Sequence, residues 1–288
     1  MKISGFTLVR NAELLDFPIE ASIRSILPIC DEVVVNVGYS EDRTLEIVRS
    51  IADPKVRVLE TEWDLGRGGA LLREETLRAM RACRHPWGVC IQADEVLHES
   101  GAPRLRAAIE AADSDRGIEG MVVRYHHIFG SPDREAVNRR WYRREVRAVR
   151  LDPAAGVEPY RDAQGFRVGP ERRRIRARLV DAEVFHYGWI RSAAALRARG
   201  EVDRQLYPGR WVPPSEAAAV LRWFPGLRPF GGEHPAVARD WVEAHRNDPG
   251  RIVTPAFFDL EHLRFYASDV VERVTGVRPF EFRNYRLV

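Results

Sequence analysis

Through residue 95 the chain alternates short apolar runs with amphipathic stretches, which predicts strands near 2–9, 32–37, 55–60 and 87–92 and helices near 17–27, 42–52 and 69–83. The apolar runs have strand length, as in Val33-Val34-Val35, whereas Ala70 to Leu77 repeats its apolar positions at helical spacing. Strands and helices in strict alternation give a parallel sheet with crossover helices. From about residue 119 the pattern changes to longer alternating strands, 121–129 and 141–150. Arg172, Arg174, Arg176 and Arg178 share one face of a further candidate strand, because side chains repeat every two residues. That row reads either as a solvated, edge-protecting face or as an electropositive wall for a pyrophosphate or an anionic acceptor. Turn-rich connectors run from Pro208 to Pro214 and from Pro225 to Pro235, and helices near 235–246 and 260–275 close the chain.

Two apolar runs in the first half end in polar residues. Trp87-Gly88-Val89-Cys90-Ile91 delivers Gln92-Ala93-Asp94-Glu95, and Val33 to Val37 leads through Gly38 into Ser40-Glu41-Asp42. Buried strands that release polar groups at their carboxyl ends are how an open α/β sheet builds a ligand or metal cleft. Gly66, Gly68 and Gly69 precede the third helix, and a glycine-rich helix entry either caps the helix or receives phosphate oxygens on its free amides.

Three segments in order, Val9-Arg10-Asn11-Ala12-Glu13, Asn36 to Thr44, and Gln92-Ala93-Asp94-Glu95, resemble glycosyltransferase family 2, the inverting nucleotide-sugar enzymes of the GT-A fold. Asp162-Ala163-Gln164-Gly165-Phe166, His186-Tyr187-Gly188-Trp189 and Glu281 to Tyr285 extend the resemblance. It implies an α/β, Rossmann-like GT-A fold with a mixed central sheet and a C-terminal helical elaboration. Residues 1–190 would form the catalytic domain, with a nucleotide-sugar half at 1–98 and an acceptor-side half at 99–190, and 191–288 a helical extension packed on it. Donor contacts are expected from Val9, Arg10, Asn11, Glu13, Asn36, Gly38, Asp42, Arg73, Gln92 and Ala93.

Two positions depart from the family. Asn36 stands where an Asp usually contacts the base or ribose, and its amide can still donate and accept hydrogen bonds. Gln92 stands at the first Asp of the family's D-x-D, and a neutral amide is a weak ligand for a hard cation, so the metal rests on Asp94. The resemblance implies Mn²⁺ or Mg²⁺ held by Asp94 and by His186. Read from its surroundings alone, His186 is equally a core histidine packed by Phe185, Tyr187 and Trp189.

Composition fits a soluble enzyme. The chain has 288 residues, 45% of them hydrophobic, enough for one elaborated domain or a domain with a subdomain. A net charge of +3 demands no nucleic acid. Lys2 and Lys55 are the only lysines; an arginine-rich composition suits bidentate phosphate recognition. Cys30, Cys83 and Cys90 have no C-x-x-C spacing and read as free thiols of a reducing compartment. With a strand predicted at once from the N-terminus no signal peptide is expected, and no apolar run approaches the roughly 18 residues of a membrane span. The expected location is cytoplasmic, with at most peripheral membrane contact.

Inversion requires a base opposite the leaving group, within reach of the acceptor hydroxyl. Asp162 is the first candidate, with Asp181 and Glu233 as rivals, and Glu95 is expected to orient the metal loop. The expected reaction moves a sugar from a UDP-, GDP- or dTDP-sugar to a hydroxyl of a glycan, glycolipid or small molecule. The alternatives are a catalytically degenerate nucleotide-sugar-binding protein and a nucleotidyltransferase. The second of these would carry a basic, Gly-rich loop after the first strand, which Val9 to Glu13 lacks.

Overall fold

The computed structural model describes residues 1–207, 209, 220–247, 252–254, 260–279 and 281–288. In its first half, β1 (Ile3–Val9), β2 (Glu32–Gly38), β3 (Val56–Thr61) and β4 (Trp87–Cys90) alternate with α1 (Ile19–Ile26), α2 (Thr44–Ser50) and α3 (Ala70–Ala82). β2 pairs in parallel with β1 and β3, and β4 lies in parallel along the other side of β1. The order of strands therefore reverses between β1 and β4, and the crevice beyond their carboxyl ends is where such sheets bind ligands.

β5 (Glu95–Leu97) and α4 (Ala102–Ala112) lead into β6 (Gly120–Phe129), β7 (Arg134–Ala136) and β8 (Arg144–Arg150). β8 is antiparallel to both β4 and β6 and joins the halves into one mixed sheet. Trp141, expected to open this strand, lies instead in a turn where its N–H donates to Asn138 O at 3.0 Å, and pairing begins at Arg144. The hairpin β9 (Val157–Tyr160) and β10 (Gly165–Val168) is followed by β11 (Arg173–Trp189), giving the order β3-β2-β1-β4-β8-β6-β11-β10-β9. Along β11, Arg174, Arg176 and Arg178 are exposed while Ile175 and Ala177 between them are buried, as alternation requires.

Two apolar clusters cover the sheet. One carries Ile23, Ile26, Val33, Val35, Trp87 and Leu105, the other Phe6, Val34, Val146, Phe166 and Ile175. Each fully buried side chain of this size contributes roughly 1.5–3 kcal/mol. Cys30 and Cys90 are buried, and burial pushes the Cys83 and Cys90 thiols up to about 12, so neither is a nucleophile near neutrality.

Beyond residue 190 lie α5 (Ala193–Leu206), β12 (Leu221–Arg222), β13 (Leu227–Pro229), α6 (Arg239–Asn247), β14 (Ile252–Val253), α7 (Leu260–Thr275) and β15 (Tyr285–Leu287). This part is not only helical: β13 pairs with β7, and β15 adds to β11. The connector Pro208 to Pro214 lies, apart from Gly209, outside the described residues. Among the described residues no helix is long and apolar enough to cross a membrane.

Candidate active site

β4 ends at Cys90, and the chain turns so that the Glu95 N–H donates to Gln92 O at 3.0 Å. β5 then pairs with β11 in a register that sets Glu95 opposite His186. The Tyr187 N–H donates to Asp94 O at 2.8 Å, which fixes the Asp94 backbone against the end of β11. Two segments ninety residues apart in sequence thereby meet: His186 Nε2 lies 3.5 Å from Asp94 Oδ2, with both side chains largely buried.

The hydrogen bonds behind His186 define its tautomer. His127 Nε2 lies 2.7 Å from Tyr142 O, and a carbonyl only accepts, so this nitrogen carries the proton. Burial, with His186 alongside, pushes the His127 pKa well below its ordinary value, so the ring is neutral and its Nδ1 is bare. That bare nitrogen lies 3.1 Å from His186 Nδ1, which must therefore be the donor. In neutral His186 the Nε2 lone pair then faces the Asp94 carboxylate, acceptor to acceptor, and only a cation or a proton between them completes the arrangement.

These residues fit a divalent cation. Two donors bound to one small cation at about 2.1 Å sit about 3 Å apart, close to the observed spacing. Gly188 keeps the space open, since a Cβ there would lie 2.6 Å from Asp94 Oδ2 and 2.7 Å from His186 Nε2. Among the described residues no group of three His, Cys, Asp or Glu gathers for a metal, so the protein would supply these two donors and leave the other positions to ligand oxygens and water.

The surroundings are cationic, which sequence reasoning missed. Arg191 Nη2 lies 3.7 Å from Asp94 Oδ2, its side chain 1% exposed and stacked 4.4 Å from the centre of Phe17. Arg191 and Arg199 both donate to Gly188 O, at 2.8 and 2.6 Å. Burial would raise the Asp94 pKa, but His186 and the charges of Arg191 and Arg199 outweigh it and hold the carboxyl well below the usual range. Burial in turn pulls Arg191 down to about 9. The only sequence signal for Arg191 is an arginine two residues past the apolar end of β11.

Glu95 is fully buried and locked. Arg147 donates to it through Nε and Nη2 at 2.8 and 2.6 Å, the Tyr125 hydroxyl at 2.8 Å, and the Gln92 N–H at 3.0 Å. With no free lone pair aimed at solvent it anchors the turn that carries Asp94 and is no base. Gln92 Nε2 donates to Ala163 O at 3.1 Å, which ties the turn after β4 to the β9–β10 hairpin, whose turn carries Asp162. Asp162 is flanked by Arg161 and Ala163, both left-handed at φ 56° and 63°, and it accepts from the Tyr207 hydroxyl at 3.3 Å. Non-glycine residues in this region are uncommon and cluster at functional sites.

Asp181 and Glu233 lie elsewhere. Asp181 is exposed in the irregular middle of β11 and is paired with Arg104 and Arg124, and the Arg124 hydrogen bond lowers its pKa. Glu233 is exposed beside His234, which packs on Phe185 and Tyr187, the face of β11 opposite His186.

The expected donor contacts divide. Val9 is buried at the end of β1, and Ala93 is buried beside Asp94. Arg10 Nε donates to Tyr39 O at 2.9 Å. Asn11, left-handed at φ 54°, is buried and accepts from the Glu41 N–H at 2.9 Å. Glu13 pairs with Arg43, and Asp42 accepts from the Leu14 and Thr44 N–H groups at 2.7 and 3.0 Å, so both tie the loop after β1 to α2. Asn36 is fully buried with its amide already satisfied: it donates to Glu75 Oε2 at 2.8 Å and accepts from the Thr61 hydroxyl at 2.6 Å. Trp63 covers Gly38, where a Cβ would meet the ring at 2.6 Å. Arg73 lines a pocket between α3 and the hairpin.

A mixed sheet whose order reverses between β1 and β4, with an acid at the end of β4 facing a histidine of β11, is the frame of a GT-A protein. The model of glycosyl transferase family 2 matches residues 18–163, half of the chain, and the chain belongs to that family. No curated protein matches the sequence. Similar solved structures include S. aureus TarS 1–349, 12% identical over 72% of this chain and 70% of that one, with a TM-score of 0.42. The same protein in complex with UDP-GlcNAc is 21% identical over 45% of this chain and only 36% of that chain, with a TM-score of 0.37. Glucosyl-3-phosphoglycerate synthase from Mycobacterium tuberculosis, in complex with Mn²⁺, UDP and phosphoglyceric acid, is 22% identical over 44% of this chain and 43% of that one, with a TM-score of 0.30.

Proposed function

We propose that the protein is an inverting glycosyltransferase that moves a sugar from a nucleotide diphosphate sugar to a hydroxyl acceptor, with Mn²⁺ or Mg²⁺ held by Asp94 and His186. The observation that carries this reading is the meeting of Asp94 Oδ2 and His186 Nε2 at 3.5 Å, beside a glycine whose missing Cβ leaves the space next to both atoms open. A divalent cation bound there supplies the Lewis acid that neutralises the leaving diphosphate. His127 orients the imidazole, Glu95 and Arg147 hold the turn that carries Asp94, and Arg191 and Arg199 add positive charge beside the phosphates.

Asp162 would take the proton of the acceptor hydroxyl as the acceptor oxygen attacks the anomeric carbon and the bond to the diphosphate oxygen breaks. Its place in the hairpin turn tied to Gln92, with Asp181 and Glu233 directed elsewhere, supports that role. Residues 1–190 would be the catalytic unit and 191–288 an extension packed on it, its Tyr207 hydroxyl donating to Asp162. The reading places the protein in the cytoplasm, where nucleotide sugars are made.

A binding protein without turnover is the second reading, favoured by Asn36, whose amide is already spent on Glu75 and Thr61. Incubation with UDP-, GDP- and dTDP-sugars and Mn²⁺ separates the two. Release of the nucleoside diphosphate by the wild type, lost in Asp94→Asn, supports the enzyme; saturable donor binding with no release from any of them supports the binding protein.

A further inference from the structure

Outside the Asp94 cleft, a cavity of about 430 Å³ opens between the first turns of α3 and the exposed face of the β9–β10 hairpin. Arg73 enters it from α3, Arg167 and Tyr160 from the hairpin, and Arg172 from the turn before β11. Among the described residues none of these three arginines forms an ion pair. Glu158, the one acid in the lining, stands opposite Arg167 in the strand register yet faces Arg81 at 3.7 Å instead.

Three guanidinium groups that line one cavity without an ion pair concentrate positive charge there, which favours an anionic occupant. Arg167 is the most telling. Its Nε is sealed from solvent without a hydrogen-bond partner, and its guanidinium lies 4.8 Å from the centre of the Tyr160 ring. Burial, with Arg174 alongside, lowers its pKa. Arg172 is held by a left-handed backbone at φ 51°, its N–H donating to Gly169 O at 3.0 Å, an unusual conformation for an arginine. Planar guanidinium forks match the oxygens of a phosphate, and the cavity has the size of a small-molecule pocket.

We propose that this pocket is a second ligand site, separate from the Asp94 cleft, that takes a phosphate-bearing small molecule on Arg73, Arg167 and Arg172. The site stands on its own residues and does not depend on glycosyl transfer being the reaction. The hairpin joins it to the cleft, because Tyr160 lines the pocket and Ala163, three residues on, holds Gln92. A phosphate seated here therefore lies on the same hairpin as Asp162.

The test is calorimetric titration of the full chain, freed of metal and nucleotide, with glycerol 3-phosphate at low ionic strength. Saturable binding of one molecule is expected, weakening as salt is raised. Each lost charge-assisted contact should weaken it about tenfold, so the Arg167→Gln/Arg172→Gln double variant should lose about a hundredfold, with Arg73→Gln as the single-site check should the double variant not fold. Metal-free UDP should not compete. Absence of binding, wild-type affinity in both variants, displacement by UDP, or equal affinity for citrate would each overturn the proposal. Displacement by UDP would make the pocket an arm of the donor cleft, and citrate would make the ligand a carboxylate.

Discussion

Gly188→Ala is the most economical perturbation of the proposed cation site, because it adds one methyl group and leaves Asp94 and His186 in place. The new Cβ would lie 2.6 Å from Asp94 Oδ2 and 2.7 Å from His186 Nε2, well inside ordinary contact, so the two donors must separate. Both neighbours are side chains, so the backbone of β11 can stay in place and the strain falls on the site. Overpacking of this kind costs about 1–3 kcal/mol. For a chain of this size each kcal/mol is worth roughly 2–4 °C in melting temperature. Metal affinity should suffer more, since displacing a ligand from its supported position costs about 10–100-fold. Mn²⁺ titration followed by electron paramagnetic resonance, with thermal unfolding followed by circular dichroism on the same metal-free sample, reads both effects. A variant that binds Mn²⁺ with wild-type affinity while its melting temperature falls would refute the reasoning, because the space under Gly188 would then be a packing feature and not a cation site.

His127→Phe keeps the ring volume and removes the acceptor that orients His186; it should weaken Mn²⁺ binding about tenfold or more with a small change in melting temperature, and unchanged affinity would make the relay incidental. Asp162→Asn should lower turnover about 10²–10⁴-fold with donor affinity nearly unchanged in equilibrium binding, and near-normal turnover would move the base elsewhere. Glu145 gives a pH signature: burial raises its pKa to about 7, against partial relief from Arg147. The unfolded chain then ionises this carboxyl from about pH 4.5 upward while the native protein keeps it protonated, so stability falls by about 3 kcal/mol between pH 4.5 and 7. Urea unfolding of Glu145→Gln across that window should lack this group's share of the fall, and an unaltered pH profile would contradict the assignment.

The first half of the fold is legible because its signals are local. Buried parallel strands write continuous apolar runs, α3 writes a helical period, and Gly38 marks where β2 ends, whereas β4 stops at Cys90, two residues before the predicted end. The predicted strand 141–150 begins late because a turn around Asn138 claims Trp141, a competition that spacing alone does not show. The mixed character of the C-terminal part was hidden for a similar reason, since β13 and β15 are only three residues each and exist through their partners β7 and β11.

Asp94 and His186 could be singled out from their segments, but not the acceptor-to-acceptor geometry between them. That depends on the register of β5 against β11 and on a hydrogen-bond chain through His127 to Tyr142, residues 127, 142 and 186 being distant in sequence. Asn36 is a similar case. Its segment suggests a ligand contact, and the partners its amide has in three dimensions, Glu75 and Thr61, come from segments that its own spacing does not point to. Arg73 and the arginines near 172 read as phosphate groups or as a solvated row, and only the packing of the hairpin on α3 gathers Arg73, Arg167 and Arg172 around one cavity.

The central claim is a cation-dependent nucleotide-sugar site built on Asp94, and calorimetric titration of UDP into the wild type and into Asp94→Asn, each with and without Mn²⁺, tests it most directly. The account predicts that Mn²⁺ tightens UDP binding to the wild type at least tenfold, and that Asp94→Asn loses this enhancement while keeping its metal-free affinity and its melting temperature. UDP binding that Mn²⁺ leaves unchanged in the wild type, or enhances equally in Asp94→Asn, would contradict it.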